Sequence, residues 1–518
     1  MTTRAERPQT PAAFRPEDQP GSAKGAGTRL GWAFDLALAL PALFILVGWL
    51  IVAIVHLDDR YEVGHGQGVW MALARHANVS GLYPELFDGT SYGGTRYMPL
   101  PILSHAALAR LTGEYITSGK LLGLLATAGI VIVTFALLRS IGCRWSWALA
   151  LSALALGGFA GLRAGTTIGG EPLPVMLGVG ALAVTMRSQR QPVLIVAALL
   201  TAMGVSAKLT ALWAPVAITA WLFFFVDRKR AAAFAAYSVG ASVLLLGTFN
   251  VMSQGRMLEN LVAVWGAGVQ GPVAILKAPA RLLDFVVAGE PAVWALIPVL
   301  VYATATQRWT ARAALLPFAW LVAALILVVV LADIGTGPNQ LIDLAVLTVL
   351  CVGGLVAYAN PRDTRDRLLV SILAAIVIWG GVTVSIVRIR PPLQDALTSV
   401  MTGSEPYPRN PLSSELPPDA PILSEDPGVP VEQGREPVVF DPFMLPRLAD
   451  THPAAVEQLV HRIERREFDV VVTVVPLRDP EDPWWRDYHF GTEVAAALYD
   501  AYRFDHRIGA YYLYRPEP

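Results

Sequence analysis

Long apolar stretches recur along almost the whole chain, and they constrain its fold more than any other feature. A helix needs about 20 largely apolar residues to cross a bilayer, and about eleven stretches approach that length. They lie approximately at 31–55, 118–138, 145–162, 173–186, 192–206, 209–226, 231–249, 291–305, 313–331, 340–359 and 368–387. The pattern predicts an α-helical polytopic membrane protein with about 11 transmembrane helices.

The composition is also typical of a membrane protein. Charged residues make up 16% and apolar residues 54% of the 518 residues, whereas soluble globular proteins carry about 25% charged residues. The formal net charge of -1 argues against nucleic acid or another strongly electrostatic partner. Cys143 and Cys351 are expected at different levels of the membrane and therefore to be unpaired.

Basic residues are concentrated in alternate connections between the predicted spans. If the N-terminus is cytoplasmic, every inner loop is short and basic, while the outer loops hold the acidic cluster at 58–62 and two long segments. The inner loops contain Arg139, Arg144, Arg187, Arg190, Arg228, Lys229, Arg230, Arg308, Arg312, Arg362, Arg365 and Arg367. Because basic loops favour the cytoplasmic side, the sequence predicts a cytoplasmic N-terminus and an extracytoplasmic C-terminus.

The chain changes character at both ends. Residues 1–30 lack an apolar period and are predicted to form a disordered cytoplasmic tail. Residues 31–390 are expected to form the transmembrane domain, with a first outer loop at 56–117. A Pro- and Ser-rich linker is expected at 391–420, followed by a small extracytoplasmic α/β domain at 421–518.

Secondary structure can be predicted outside the spans as well. Segments 98–112 and 250–290 are expected to lie as amphipathic helices on the outer surface. In the C-terminal domain, strands are expected at 421–424, 437–440, 468–475 and 508–514, and helices at 453–467 and 492–502.

The first outer loop concentrates ionisable residues beside the first span. Glycosyl transfer needs a carboxylate to accept the proton of the acceptor hydroxyl, and adjacent carboxylates raise the pKa of one of them, which suits a base. Asp58 and Asp59 are therefore the catalytic candidates. The alternative is that acidic residues at a helix end only mark the membrane surface.

Several other polar residues are predicted to lie at the same outer level and are candidates for substrate binding. They are Glu62, Arg96, Tyr97, Lys120, Arg163, Glu171, Lys208 and Asn339. A phosphate leaving group needs a fixed positive charge, which Lys120 or Lys208 could supply, although interfacial lysines often extend to lipid headgroups. The other candidates also have structural explanations that do not involve a substrate. Arg96 and Tyr97 could be an ordinary interfacial pair, Arg163 and Glu171 could form an ion pair, and Asn339 could cap a helix.

No cofactor is expected from the sequence. The histidines, among them His56, His65, His76 and His105, have no ligand spacing, so a divalent cation is left open but is not indicated. No phosphate-binding glycine loop or dinucleotide fingerprint occurs, which disfavours an ATP-driven pump and a nucleotide-sugar donor.

Short motifs follow the acidic loop in a consistent order. They are Arg96–Pro101 (RYMPLP), Ser118–Leu122 (SGKLL), Ser206–Lys208 (SAK), Leu423–Gly428 (LSEDPG) and Phe440–Phe443 (FDPF). With the preceding span and acidic loop, this order resembles the GT-C superfamily of integral membrane glycosyltransferases. The last two motifs are similar to the extracytoplasmic tail of bacterial members.

The resemblance implies an inverting transferase in the bacterial inner (plasma) membrane. It implies a polyprenyl-phosphate-linked sugar donor, a glycan, lipid or protein acceptor in the cell envelope, contact with membrane lipids, and a first-loop aspartate as base. Asp58 is slightly favoured because it lies nearer the helix end. The alternatives are a secondary transporter or flippase for a lipid or small polar solute, for which no clear inverted repeat is found, and a non-catalytic scaffold.

The predicted orientation can be tested by cysteine labelling in a cysteine-free background. Lys229→Cys and Arg365→Cys are expected to be shielded from an impermeant thiol reagent in intact cells and to react after permeabilisation, because both lie in basic loops. Ser413→Cys should react in intact cells. Labelling of the first two variants in intact cells would reverse the orientation.

Overall fold

The apolar stretches form helices in the computed structural model, which describes residues 29–263, 271–290, 310–333, 335–358, 364–416 and 420–518, together with residues 293, 296 and 297. In chain order the helices before the C-terminal domain are α1 (Arg29–Val55), α2 (His65–Val79), α3 (Pro99–Thr112), α4 (Tyr115–Ser140), α5 (Trp145–Leu154), α6 (Phe159–Ala164), α7 (Pro172–Arg187), α8 (Gln191–Ala207), α9 (Trp213–Phe225), α10 (Arg228–Met252), α11 (Arg256–Ala263), α12 (Gly271–Gly289), α13 (Leu315–Val330), α14 (Ile342–Tyr358) and α15 (Thr364–Thr402).

The outward faces of these helices are apolar, as expected in a bilayer. On α1, Leu40 and Ile54 are 62% and 55% exposed, while Ala42 and Ile45 are buried in the bundle. Such a helix would be poorly soluble in water but suits lipid on one face and protein on the other. Within the described residues, six helical segments are long and apolar enough to cross a membrane, and shorter apolar helices, including α7 and α8, accompany them.

The predicted spans match the helices, with one interruption. The stretch 145–162 is divided into α5 and α6, because the chain turns at Gly157 and Gly158. A Cβ at Gly158 would collide with the carboxylate of Glu290, and that carboxylate accepts a 2.7 Å hydrogen bond from the Ala160 N–H at the start of α6. Most of the predicted span at 291–305, and nearly all of the predicted tail at 1–30, lie outside the described residues.

Helices α2, α3 and α11 lie at the end of the helix bundle that carries the C-terminal domain, and this end is called the outer end below. Helix α3 coincides with the helix predicted at 98–112, whereas the segment 250–290 is divided between the end of α10, α11 and α12. The N-terminal half of α2 buries Val69, Trp70 and Met71 against the membrane domain. These helices therefore form the outer surface on which the first loop rests.

The predicted linker at 391–420 needs a correction, because its first part is helical. Helix α15 continues through Pro391 and Pro392 to Thr402. Each proline lacks the N–H of a normal helical hydrogen bond, but Ile389 and Ala396 pack into a buried cluster with Trp49 of α1 on either side of the interruption. Packing against α1 thus outweighs the local preference of proline.

The C-terminal domain is built on a four-stranded sheet with the order β1-β2-β4-β3. Its elements are β1 (Ile422–Ser424), α16 (Gly428–Glu432), α17 (Leu445–Thr451), α18 (Pro453–Glu464), β2 (Val470–Thr473), α19 (Thr492–Ala501), β3 (Tyr502–Ile508) and β4 (Tyr511–Pro516). Strands β1 and β2 are parallel, while β4 is antiparallel to both β2 and β3. Successive residues of β2 face opposite sides: Val471 packs towards α18 and α19, and Val472 packs towards Leu412 and Leu416.

Two predicted strands of this domain differ from the structure. The expected strand at 437–440 is a single bridge in which Val439 pairs with Tyr92 of the first outer loop. The Tyr92 N–H donates to the Val438 carbonyl at 2.7 Å, and the Phe440 N–H donates to the Tyr92 carbonyl at 2.9 Å. The final strand expected at 508–514 is part of a hairpin, in which Gly509 has a φ of +56° between β3 and β4.

Candidate active site

The outer ends of the helices enclose a cavity with two adjoining compartments. The larger compartment has a volume of about 610 Å³ and the smaller about 250 Å³. Trp70, Tyr97, Glu171, Gly335 and Asn339 line both compartments, so the two compartments adjoin. The ring centroids of Trp70 and Tyr97 lie 4.2 Å apart, which places an aromatic surface where the two compartments meet.

Most of the substrate-binding candidates line this cavity. They are Glu62, Arg96, Tyr97, Arg163, Glu171, Lys208 and Asn339. These residues come from the first loop, α6, the turn before α7, the end of α8 and a short helix (Pro338–Leu341) before α14. The cavity therefore collects outer-level residues from distant parts of the sequence.

The smaller compartment contains a lysine held by a polar network. Lys208 Nζ donates to Gln340 Oε1 at 2.6 Å and lies 3.5 Å from Glu171 Oε1. Asn339 Nδ2 donates to the same Glu171 oxygen at 2.8 Å. Asn339 thus contacts the acidic group of the network instead of capping α14, since the preceding short helix has Gly337 as its N-cap.

An ion pair forms the side of the smaller compartment that faces the C-terminal domain. Arg96 is hydrogen-bonded to Asp333, and its guanidinium lies 5.0 Å from the ring centroid of Phe443. Arg447 lies 4.2 Å from the same ring, so Phe443 is positioned between two cations. The C-terminal domain therefore packs against a residue of the cavity wall.

Glu62 is the first-loop carboxylate that lines the larger compartment. Its φ of +56° is uncommon for a residue other than glycine, and such conformations cost about 1–3 kcal/mol. The turn is held by a 2.8 Å hydrogen bond from Thr167 Oγ1 to the Glu62 carbonyl. The carboxylate lies 2.8 Å from Arg163 Nε. Arg163 therefore pairs with Glu62, and the alternative of an ion pair between Arg163 and Glu171 is wrong.

The two catalytic candidates, Asp58 and Asp59, lie outside the cavity. The side chain of Asp58 is 63% exposed, and its Oδ2 lies 2.6 Å from a terminal nitrogen of Arg409. Asp59 Oδ2 lies 2.6 Å from His56 Nδ1, and Asp59 Oδ1 accepts from the Tyr61 N–H at 2.8 Å. Neither carboxylate lines the two compartments.

Asp59 is held as an anion. Burial opposes its ionisation, but the hydrogen bond with His56 and the charge of Lys120 outweigh burial, so the pKa of Asp59 lies below its usual range. Lys120, which is 1% exposed, donates to the carbonyl oxygens of His56 at 2.6 Å and Asp59 at 2.8 Å. Lys120 thus stabilises the chain just beyond α1 and does not line the cavity.

Arg60 joins the first loop to the C-terminal domain. Its guanidinium lies 2.7 Å from Asp426 Oδ2 and 2.6 Å from Glu432 Oε1, and it is hydrogen-bonded to the Tyr511 hydroxyl. Burial opposes the charge, but Asp426 outweighs it and raises the pKa of Arg60 above its usual range. The Arg60 N–H also donates to the Tyr407 carbonyl at 3.0 Å, so the turn is fixed from two sides.

A second contact with the C-terminal domain involves His65, the first residue of α2. The ring of His65 lines the larger compartment and lies 4.6 Å from the ring of His489, measured between centroids. His489 Nδ1 lies 2.5 Å from Glu425 Oε1, a wholly buried carboxylate that also accepts from Trp484 Nε1 at 2.6 Å. Burial and the charge of His489 lower the pKa of His65, so a neutral imidazole faces the cavity near pH 7.

Several lining residues were not selected from the sequence. Asp333 and Gln340 flank the predicted Asn339 and could have been found as polar residues in the same outer loop. His65 and Trp70 lie on α2, whose pattern gives no sign of a nearby cavity. Within the described parts of the chain, no group of three His, Cys, Asp or Glu side chains is placed to hold a metal ion.

Replacing Arg60 by glutamine is expected to loosen the C-terminal domain. The change leaves Asp426 and Glu432 buried without their cation, and loss of one partner of a buried ion pair typically costs about 3–5 kcal/mol. Hydrogen exchange of the purified chain should show faster exchange in β1 and α16.

Arg409→Gln is the matched control, since it breaks the exposed pair with Asp58, and exposed pairs contribute about 0–1 kcal/mol. Equal exchange in both variants would show that Arg60 does not hold the domain in place.

The fold matches solved structures, although no protein-family model matches the chain and no curated protein matches its sequence. ArnT from Cupriavidus metallidurans matches with TM-scores of 0.60 in the apo state and 0.59 bound to undecaprenyl phosphate. Both matches have 13% identity and cover 94% of this chain and 98% of that chain.

A second match is the archaeal oligosaccharyltransferase AglB from Archaeoglobus fulgidus, in complex with an inhibitory peptide and a dolichol-phosphate. Its TM-score is 0.50 at 12% identity, over 94% of this chain and 74% of that chain. ArnT and AglB are GT-C superfamily members. The likeness shows the fold and confirms the expected polytopic GT-C-like architecture with a small C-terminal domain.

Proposed function

We propose that this chain, which has the GT-C fold, is a membrane glycosyltransferase that uses a polyprenyl-phosphate-linked sugar. The acceptor would be a glycan, lipid or protein of the cell envelope, reached at the outer face of the membrane. The observation that carries the proposal is the pair of adjoining compartments whose walls bring together cations, carboxylates, amides and an aromatic surface. The ArnT structure bound to undecaprenyl phosphate and the AglB structure with a dolichol-phosphate support a donor of this class.

An apolar groove beside Lys208 supports a lipid-linked donor. The groove has a volume of about 540 Å³ and is lined by side chains of α8, α9 and α10. Val205 and Leu212 of the groove flank Lys208 in the sequence, so a lipid tail in the groove would bring its phosphate towards the lysine. The positive charge would then stabilise the phosphate that leaves.

The sugar would occupy the junction of the two compartments. The rings of Trp70 and Tyr97 offer an apolar surface to a pyranose face. Asn339 and Gln340 offer amide groups, and Glu171 offers a carboxylate for sugar hydroxyls. This arrangement suits a neutral or weakly charged sugar attached to an anionic phosphate.

In the proposed reaction, the acceptor oxygen attacks the anomeric carbon as the bond to the donor phosphate breaks. The bonding electrons leave with the polyprenyl phosphate, and the acceptor proton moves to a carboxylate. A single displacement of this kind inverts the anomeric configuration. Among the first-loop carboxylates, Glu62 lies in the cavity wall, while Asp58 and Asp59 remain candidates by sequence.

Transport is less well supported than transfer. A transporter would need a polar path near the membrane midplane, and the bundle interior is filled by buried apolar side chains such as Leu182, Ile218 and Val346. The C-terminal domain also contacts the cavity wall through Phe443. A lateral site at the outer surface fits transfer between two substrates better than passage across the membrane.

The base can be identified by comparing three amide variants in vesicles that contain a lipid-phosphate sugar. Glu62→Gln is expected to lower turnover about 10²–10⁴-fold, the usual contribution of a general base. Asp58→Asn should stay near wild type because Asp58 is exposed and pairs with Arg409. Loss of turnover in Asp58→Asn with normal turnover in Glu62→Gln would assign the base to the acidic pair, and normal turnover in all three variants would favour transport.

Lys208→Ala is expected to raise the KM for the donor about tenfold or more, because a charge-assisted contact with the phosphate is lost. Lys229→Ala, in a basic loop at the other end of the bundle, is the matched control and should leave KM unchanged. The measurement is initial rate against donor concentration in vesicles. An unchanged KM in Lys208→Ala would remove this residue from the phosphate site.

A further inference from the structure

The larger compartment is the part of the cavity that the proposed donor does not fill. The donor phosphate is placed at Lys208, and its sugar is placed at Trp70 and Tyr97, where the two compartments adjoin. The larger compartment has a volume of about 610 Å³. Its wall includes His65 and Gln67 from the first turn of α2. This turn therefore faces the space that is left for the acceptor.

His65 offers this space an imidazole with unused hydrogen-bonding capacity. Its ring nitrogens have no hydrogen-bond partner among the described residues, and they are not among the fully buried atoms that lack a partner. They are therefore accessible to a ligand. The ring packs edge-on against His489 and Trp484 of the C-terminal domain, with centroid distances of 4.6 and 5.5 Å. The orientation of His65 is thus set before a ligand binds.

Gln67 offers a second polar group in the same turn. Its Oε1 accepts from the Gly64 N–H at 3.0 Å, which fixes the amide and leaves Nε2 as a donor. Within the described parts of the chain, Nε2 has no partner, and it is not fully buried. A Cβ on Gly66, between the two residues, would meet no atom within 4 Å. The turn therefore borders open space.

We propose that His65 and Gln67 bind neighbouring hydroxyl groups of an acceptor glycan. A hydroxyl both donates and accepts, so one can donate to a nitrogen of His65 while the next accepts from Gln67 Nε2. A serine, a threonine or a lipid with one hydroxyl would leave one of the two groups without a partner, which is unfavourable. The inference rests on the proposed sugar transfer and specifies the acceptor of that reaction.

The protonation of His65 gives this role a distinct pH dependence. The titratable groups that face its ring are His489, Glu425 and Asp426. Burial and the charge of His489 lower the pKa of His65 and outweigh the two carboxylates. The imidazole is therefore neutral near pH 7, and it loses its acceptor nitrogen when it takes up a proton below pH of about 6.5. The KM for the acceptor should rise in that range.

The test measures initial rates in vesicles that contain a lipid-phosphate sugar, with oligosaccharides released from cell-envelope glycan as the acceptor. His65→Ala and Gln67→Met are each expected to raise the KM for the acceptor about fivefold, because a hydrogen bond is lost, and to leave the KM for the donor unchanged. His65→Gln should retain the acceptor KM near pH 7 but lose the rise at low pH, because an amide does not titrate. His461→Gln, at a histidine of α18 that is 66% exposed, is the matched control and should behave like wild type.

Several results would overturn the inference. Transfer by the wild type to a serine peptide or to diacylglycerol, but not to the oligosaccharides, would exclude a glycan. An unchanged acceptor KM in His65→Ala or Gln67→Met, or an equal rise in the donor KM, would show that the turn does not bind the acceptor. A low-pH rise that persists in His65→Gln would exclude His65.

If His65→Ala does not fold, the pH profile of His65→Gln decides. The absence of transfer to any of the three acceptors would instead reject the proposed function, and this inference with it.

Discussion

The buried charge of Arg60 is the interaction on which the geometry of the outer surface depends. A guanidinium taken out of water is stable only when anions and acceptors surround it, and here Asp426, Glu432 and Tyr511 do so. All three belong to the C-terminal domain. The first loop and the C-terminal domain therefore stabilise each other's position through Arg60.

Three carboxylates lie within a few residues of this arginine, and they have different roles because their surroundings differ. Asp59 is bonded on both oxygens and is a poor proton acceptor, while Asp58 extends outwards to Arg409. Glu62 is turned towards the cavity by its left-handed backbone conformation. The acidic cluster thus contains three kinds of carboxylate in the structure. Asp59 stabilises the loop, Asp58 lies at the surface and Glu62 lines the cavity.

Much of the architecture could be predicted because the length of an apolar stretch is a property of the local sequence. Each predicted span whose residues are mostly described has a helix in the structure. The common outer level of Arg96, Glu171, Lys208 and Asn339 could also be predicted, since each follows or precedes a span. The side chains that contact such residues could not be predicted from the sequence. Arg60 and Asp426 are 366 positions apart, and no local pattern encodes such a pairing.

Helix α15 extends beyond the apolar part of the bundle at its outer end. Its last part, from Pro391 to Thr402, continues beyond the apolar segment for about 18 Å at 1.5 Å per residue. The chain that follows carries Tyr407 and Arg409, which contact the first loop. The length of this part of α15 therefore sets how far the segment with Tyr407 and Arg409 lies from the apolar part of the bundle. Each residue inserted there would shift these contacts by about 1.5 Å along the helix axis and out of line with the first loop.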